Sequence, residues 1–329
     1  MPNGHRLAIL DVGHGNSAVL IDEDGIVVID TGRGDSLRQY LKQQGIERVD
    51  IVLLSHADQD HIGGLIHLLA CAEFTLGRVH INADSKQRSA LWDDLRYELD
   101  RAHNSQKLAF EVSLTSDATG RFDHGGVRLE ILGPSRYLAS GGPGSRDREG
   151  RRVTTNSISA VVRLLDQGQP IALLPGDLDE VGLSGLLESG KDMTAQIVVF
   201  PHHGGGAGRT DMTAFTKALC EAVKPEIVVF SIGRGVHGTP RPEVIGAIRQ
   251  TLPEAWIACT QLSEHCSETP PTAEPSHLGE AFARGRERHH CCAGTIVVNL
   301  NRPDAILPSR EAHQAFVSSS TVQPLCSRP

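Results

Sequence analysis

Between Ser55 and Gly64 the chain reads Ser-His-Ala-Asp-Gln-Asp-His-Ile-Gly-Gly. Four groups able to ligate a metal, His56, Asp58, Asp60 and His61, fall within six residues. Imidazole and carboxylate together suit Zn²⁺, Mn²⁺ or Fe²⁺. Alternate side chains of an extended segment share a side, so His56 and Asp58 are expected to converge on one ion, with Asp60 and His61 turning toward a second. Two ions about 3.5–4 Å apart activate a water and clamp the attacking and leaving oxygens of a hydrolysis. So short a cluster needs ligands from elsewhere. Two strand ends supply them: Asp177 after Leu173-Leu174-Pro175-Gly176, and His202-His203 after Val198-Val199-Phe200-Pro201. Adjacent side chains of extended backbone diverge. One of His202 and His203 is therefore expected on the metal, the other toward a phosphate oxygen or leaving group.

The elements that must position these groups are legible as short apolar runs with Gly-rich corners. Strands are expected at 7–12, 17–21, 26–30, 49–54, 79–82, 108–114, 127–132, 158–165, 171–174, 197–200, 227–231, 256–260 and 295–300. Helices are expected at 35–44, 63–72, 88–104, 181–189, 213–222 and 243–251. The metal-ligand run lies on a strand-to-helix loop, where backbone can turn side chains to a common point. Two strand-rich halves with helices outside predict an α/β fold, an αββα sandwich. Residues 1–301 are expected to form one domain and 302–329 a disordered tail. Residues 133–152, rich in Gly, Ser, Pro and Arg, read as a long flexible loop whose Arg146, Arg148, Arg151 and Arg152 could contact phosphates.

The 329 residues carry a net charge of −8, which argues against a broad nucleic-acid grip and suits a site that gathers cations. The seven cysteines do not form the even framework of a small secreted domain. With no signal-like N-terminus and no apolar run of about 18 residues, a cytoplasmic protein off the membrane is expected. Cys71 and Cys220 read as buried thiols. Cys259, Cys266, His290 and Cys291 could hold a structural zinc. His67 reads as packing, His80, His103 and His124 as surface residues. Asp11 and Asp30 read as turn caps or supports for ligands, and Asp179 as a helix start.

The run His56–Gly64 resembles the signature of the metallo-β-lactamase superfamily, and Asp58 at the second ligand position is similar to its ComEC-type branch, the nuclease-like domain of a DNA-uptake competence protein. Other stretches agree, in order, over roughly residues 7–260. They are Asp11-Val12-Gly13-His14-Gly15-Asn16, Asp30-Thr31-Gly32, Asn156 with Ser159, Pro175-Gly176-Asp177, Pro201-His202-His203-Gly204, and Ser231-Ile232-Gly233 with His237-Gly238-Thr239-Pro240. The chain departs from the branch at His14 and Asn16, where Gln and Asp are usual, and at Thr239. Thr154-Thr155-Asn156 stands where the superfamily has a third histidine.

The resemblance implies a metal-dependent hydrolase, a phosphodiesterase or nuclease with two Zn or Mn ions, acting on DNA or a nucleotide. Asp58, Asp60, His203 and His237 are the residues it points to for catalysis. Two alternatives stand beside it: a hydrolase of another small ester or amide, and a non-catalytic metal-binding subunit that regulates a protein partner.

Overall fold

The computed structural model describes residues 4–123, 125–206, 210–321 and 323–327. His124 and the first three residues lie outside them. Among the described residues, fourteen strands form two mixed sheets. The first has eight strands in the order β14 (Ile306–Leu307), β13 (Ile296–Asn299), β1 (Arg6–Ile9), β2 (Ser17–Asp22), β3 (Gly25–Thr31), β4 (Arg48–Leu53), β5 (Thr75–His80) and β6 (Ala109–Glu111). The second has six: β12 (Trp256–Cys259), β11 (Ile227–Phe230), β10 (Ile197–Val199), β9 (Gln169–Leu174), β8 (Val161–Asp166) and β7 (Val127–Gly133). Each sheet changes from antiparallel to parallel pairing, at β3 in the first and at β9 in the second.

The side-chain alternation of these strands builds three apolar layers. Leu7, Ile9, Leu20, Ile29 and Leu53 meet Leu129, Val162, Leu164, Val199 and Val229 between the sheets. The opposite face of the first sheet packs against α1 (Ser36–Gln43), α2 (Gln59–Leu69) and α3 (Ala90–Asn104) through residues such as Leu10, Val28, Leu37, Leu65 and Leu95. The opposite face of the second sheet packs against α5 (Glu180–Glu188), α6 (Met212–Val223), α7 (Pro242–Thr251) and α8 (Arg310–Ser320). The result is the expected αββα sandwich. Among the described residues, no helix is long and apolar enough to cross a membrane.

His5 ties the two sheets at one end. Its Nδ1 lies 2.8 Å from Asp22 Oδ1 at the end of β2, and its Nε2 lies 2.9 Å from Asp166 Oδ1 at the end of β8.

Four expectations are corrected. Residues 310–320, placed in a disordered tail, form α8. Ser309 caps it by accepting from Ala312 N, and Phe316 and Val317 are buried against the second sheet's helices. Residues 133–152 are not one flexible loop: they hold the short helix α4 (Arg136–Gly141), and Arg146 and Arg152 pair in an antiparallel bridge. His80, expected on the surface, is fully buried with its ring edge-on to Phe122, because it closes a strand whose last residues face inward. His67 is exposed rather than packed, while His103 is at the surface as expected.

Candidate metal centre

Six strands that share one direction end at the same rim of the sandwich. His14 follows β1, Asp30 ends β3, His56 follows β4, Asp177 follows β9, His202 and His203 follow β10, and Ser231 follows β11. A sharp turn is needed at each, and the backbone shows it. Of the eight non-glycine residues with positive φ among those described, Asp30, His202, His203 and His237 lie at this rim. Backbone strain of this kind persists where the surroundings over-determine it. Gly176, at φ +55°, leaves no room for a side chain: a Cβ there would come within 2.4 Å of Ser159 Oγ and 2.5 Å of Ser55 Oγ.

Two groups of three side chains are close enough to share an ion: His56, His61 and Asp177, and His14, Asp60 and His203. This differs from the pairing expected of an extended segment. Asp58 is the N-cap of α2, and helical backbone begins at Gln59. Asp60 and His61 therefore project about 100° apart and serve different groups. His61 Nε2 lies 3.3 Å from Asp177 Oδ1, and His56 Nε2 lies 3.9 Å from Asp177 Oδ2. In the second group, His203 Nε2 lies 3.1 Å and His14 Nε2 3.8 Å from Asp60 Oδ2. Asp177 stands between the groups, its Oδ1 also 3.7 Å from His203 Nε2.

The imidazoles are oriented from behind. His61 Nδ1 donates to Asp30 Oδ2 at 2.7 Å. Ser55 Oγ donates to the same carboxylate at 2.8 Å and accepts from His56 Nδ1 at 2.9 Å. His203 Nδ1 donates to the Ser231 carbonyl at 2.7 Å. Each of these rings thus turns Nε2 into the site, where it can ligate an ion once deprotonated. His56 Nε2 and His61 Nε2 are buried with no hydrogen-bond partner. Buried polar atoms rarely stay unpaired, and a histidine that ligates a metal typically donates its other nitrogen to a carboxylate or carbonyl. The donor set and these orphaned nitrogens fit divalent ions.

Charge agrees. Burial, then the neighbouring His203, lowers the pKa of His14 to about 3, so its imidazole is neutral and free to ligate. Burial alone would raise the Asp177 carboxyl, but the surrounding His61, His203 and His202 hold it well below the usual range.

The remaining expected residues take other places. Asp58 Oδ1 accepts from Gln87 Nε2 at 2.7 Å, and its Oδ2 lies 3.5 Å from His56 Nε2, at the open side. His202 Nδ1 lies 3.5 Å from Asp177 Oδ2. His203 rather than His202 belongs to a three-ligand group. His237 is exposed, its ring edge-on to His14 with centroids 5.0 Å apart. Asp179 caps α5 as expected. The sequence marks His14 only as a departure from a glutamine; the signal it offers is a histidine in a Gly-x-Gly turn that follows the first strand. Arg151 is taken up by Asp147 and Glu149, and Arg148 lies over Tyr137.

The four groups expected at a structural zinc do not meet. Cys259 and Cys266 share the helix-side core of the second sheet, whereas Cys291 packs with Leu278 and Ala283, its Sγ 3.8 Å from Asp11 Oδ2. Alternation is the cause: Cys291 pairs with Gln261 and points one way, so it is Cys292 that joins Cys259. His290 lines a surface cleft. Burial, and then the neighbouring Asp11 carboxylate, push the Cys291 thiol well above its ordinary pKa, so it stays protonated. Cys220 is buried as expected and Cys71 is half-buried.

The family model of the metallo-beta-lactamase superfamily matches residues 10–231. Over 236 residues, 70% of this chain, the sequence is 24% identical to the competence protein ComA of Neisseria gonorrhoeae. The chain spans 27% of that protein's length. Among solved structures, it is similar to the metallo-beta-lactamase fold protein YhfI of Bacillus subtilis, at 12% identity and a TM-score of 0.45 over 74% of this chain and 93% of that one. It is also similar to Zn²⁺-bound PqqB of Methylobacterium extorquens, at 10% identity and a TM-score of 0.43 over 77% of this chain and 97% of that one.

Proposed function

Because the chain belongs to the metallo-beta-lactamase superfamily, we propose that it is a metal-dependent hydrolase of phosphodiesters, a nuclease or phosphodiesterase acting on DNA or a nucleotide. The observation that carries this reading is the pair of three-ligand groups on either side of Asp177. His56, His61 and Asp177 would hold one ion, and His14, Asp60 and His203 the other. Such ions supply Lewis acidity toward a phosphoryl oxygen and make water acidic enough to attack at neutral pH. The choice of a phosphodiester rests on the resemblance of the ordered motifs to the ComEC-type branch. The match to a competence protein supports it.

The chain's own groups divide the work. Asp30 and the Ser231 carbonyl fix the ring orientations of His61 and His203. Asp58, oriented by Gln87 and part-exposed, stands at the mouth where its Oδ2 can accept a proton from attacking water. His237, exposed beside His14, can pass a proton to the leaving oxygen. Zinc and manganese are the ions proposed, and a cytoplasmic setting goes with a substrate of this kind.

The test is hydrolysis of plasmid, single-stranded DNA and bis(p-nitrophenyl) phosphate with added Mn²⁺ or Zn²⁺. Turnover is expected for the wild type and its loss for Asp60→Ala. Turnover that survives Asp60→Ala refutes the site, and none under either metal refutes the activity.

A further inference from the structure

Beside the metal centre lies a cleft of about 790 Å³, in the upper part of the roughly 300–1,000 Å³ that ligand pockets occupy. Its inner end is formed by Gly13, His14, Gly233 and Arg234, so it opens onto the second ligand group. Its outer wall is the segment 279–290, Gly-Glu-Ala-Phe-Ala-Arg-Gly-Arg-Glu-Arg-His-His. Four arginines line the cleft, against the carboxylates of Asp35, Glu280 and Glu287.

The wall is built rather than draped. Buried Asp11 ties it to the turn that carries His14. Asp11 Oδ2 accepts from Gly285 N at 2.8 Å, and Oδ1 accepts from Gly13 N at 3.1 Å and Gln261 Nε2 at 2.9 Å. The Asp11 carbonyl accepts from Arg284 N at 3.2 Å. Arg234 and Arg286 spend their guanidinium groups on backbone carbonyls, at Leu262, Ser267 and Glu268 and at Gly279 and Ala281 respectively. They stiffen the cleft.

Two cations remain for a ligand. Arg284 is exposed and crosses the His14 turn so closely that a Cβ on Gly13 would come within 3.2 Å of its Cδ. Its Nη1 makes one hydrogen bond, to Ser36 Oγ. Arg288 is exposed, and its guanidinium makes no hydrogen bond or ion pair with a described residue. Burial first, and then the charges of Arg234, Arg288 and His289, keep the His290 imidazole below its ordinary pKa. Asp35 is occupied by Arg38 and Gln39.

We propose that this cleft is an anion subsite for the flank of a polynucleotide substrate, in which Arg284 and Arg288 hold phosphates next to the one placed at the metal ligands. The proposal rests on the phosphodiesterase reading and adds to it a chain substrate rather than a single nucleotide. A chain of net charge −8 has no general attraction for nucleic acid, so a local cationic wall is where affinity must arise.

The test is fluorescence anisotropy of a fluorescein-labelled, single-stranded phosphorothioate oligonucleotide titrated with the protein as purified, over a range of salt. Arg284→Ala/Arg288→Ala is expected to weaken binding at least tenfold at low salt. It should also flatten the slope of log K against log salt by about 0.7 per lost phosphate contact. Arg288→Glu, which removes no packing partner, should weaken binding as much. Arg96→Ala, on the distant α3 and paired with Asp93, should leave it unchanged. Wild-type binding that is absent, or that is equally tight in both cleft variants, overturns the subsite; so does an equal loss in Arg96→Ala. Arginine-dependent binding without hydrolysis of any phosphodiester keeps the subsite and refutes the hydrolase reading. Hydrolysis of oligonucleotides with an affinity indifferent to both arginines does the reverse.

Discussion

His61 and Asp30 form a buried pair in which Nδ1 donates to Oδ2 across 2.7 Å, and the same carboxylate receives the Ser55 amide at 2.7 Å and hydroxyl at 2.8 Å. One side chain of β3 thereby sets the orientation of both histidines of the first ligand group. Partners of this kind typically account for about 10–100-fold in metal affinity. Asp30→Asn keeps the size of the side chain and tolerates its positive φ. A competition titration with a chromophoric chelator should show affinity falling about tenfold or more. Unchanged affinity would sink this role for Asp30.

His14→Ala removes one member of the second group and none of the first. Metal analysis after dialysis against Zn²⁺ or Mn²⁺ should find the bound metal reduced by about half, with the melting temperature in metal-free buffer little changed. Full metal content in the variant would show that His14 is a bystander.

These two residues mark the limits of what the sequence discloses: Asp30 is legible in part, and His14 as a ligand is not. Asp30, an acid at a strand end, reads from sequence as either a turn cap or a support for ligands, and its hydrogen bonds to His61 and Ser55 select the second. The ligand types, the strand ends that carry them and the sandwich itself were equally open to inspection, since all depend on local pattern. The grouping of ligands was not. It turns on where helical backbone begins, and the start of α2 at Gln59 re-aims Asp60 and His61 after a strand that points the other way. The Cys291–Cys292 pair was lost for the same reason: one residue of register decides which thiol enters the core. Arg284 and Arg288 were invisible because a Pro/Gly/Glu-rich stretch says nothing about what it folds against.

The bridge made by His5 gives stability a pH dependence. Burial disfavours its charged form, but the hydrogen bond and charge of Asp166 and the charge of Asp22 outweigh burial and raise its pKa above 6.5. A raised folded-state pKa contributes stability that is fully present below the unfolded value and fades as pH rises through the folded one. The cost of His5→Gln in urea unfolding should therefore be larger at about pH 6 than at about pH 9. An equal cost at both, or a larger one at the higher pH, would contradict the bridge.

Phe316 tests the closing helix. It is buried against the layer outside the second sheet, stacked on His277 with ring centroids 4.3 Å apart. Phe316→Ala should cost about 3 kcal/mol in denaturant unfolding. A cost within about 0.5 kcal/mol, the scale of surface substitutions, would mean that α8 is not docked in solution.

Asp177 offers Oδ1 toward His61 and His203 and Oδ2 toward His56 and His202. A carboxylate shared in this way makes the two groups thermodynamically linked. Whatever occupies one of them alters the charge and the geometry met at the other, and by reciprocity the coupling factor is the same in either order of filling.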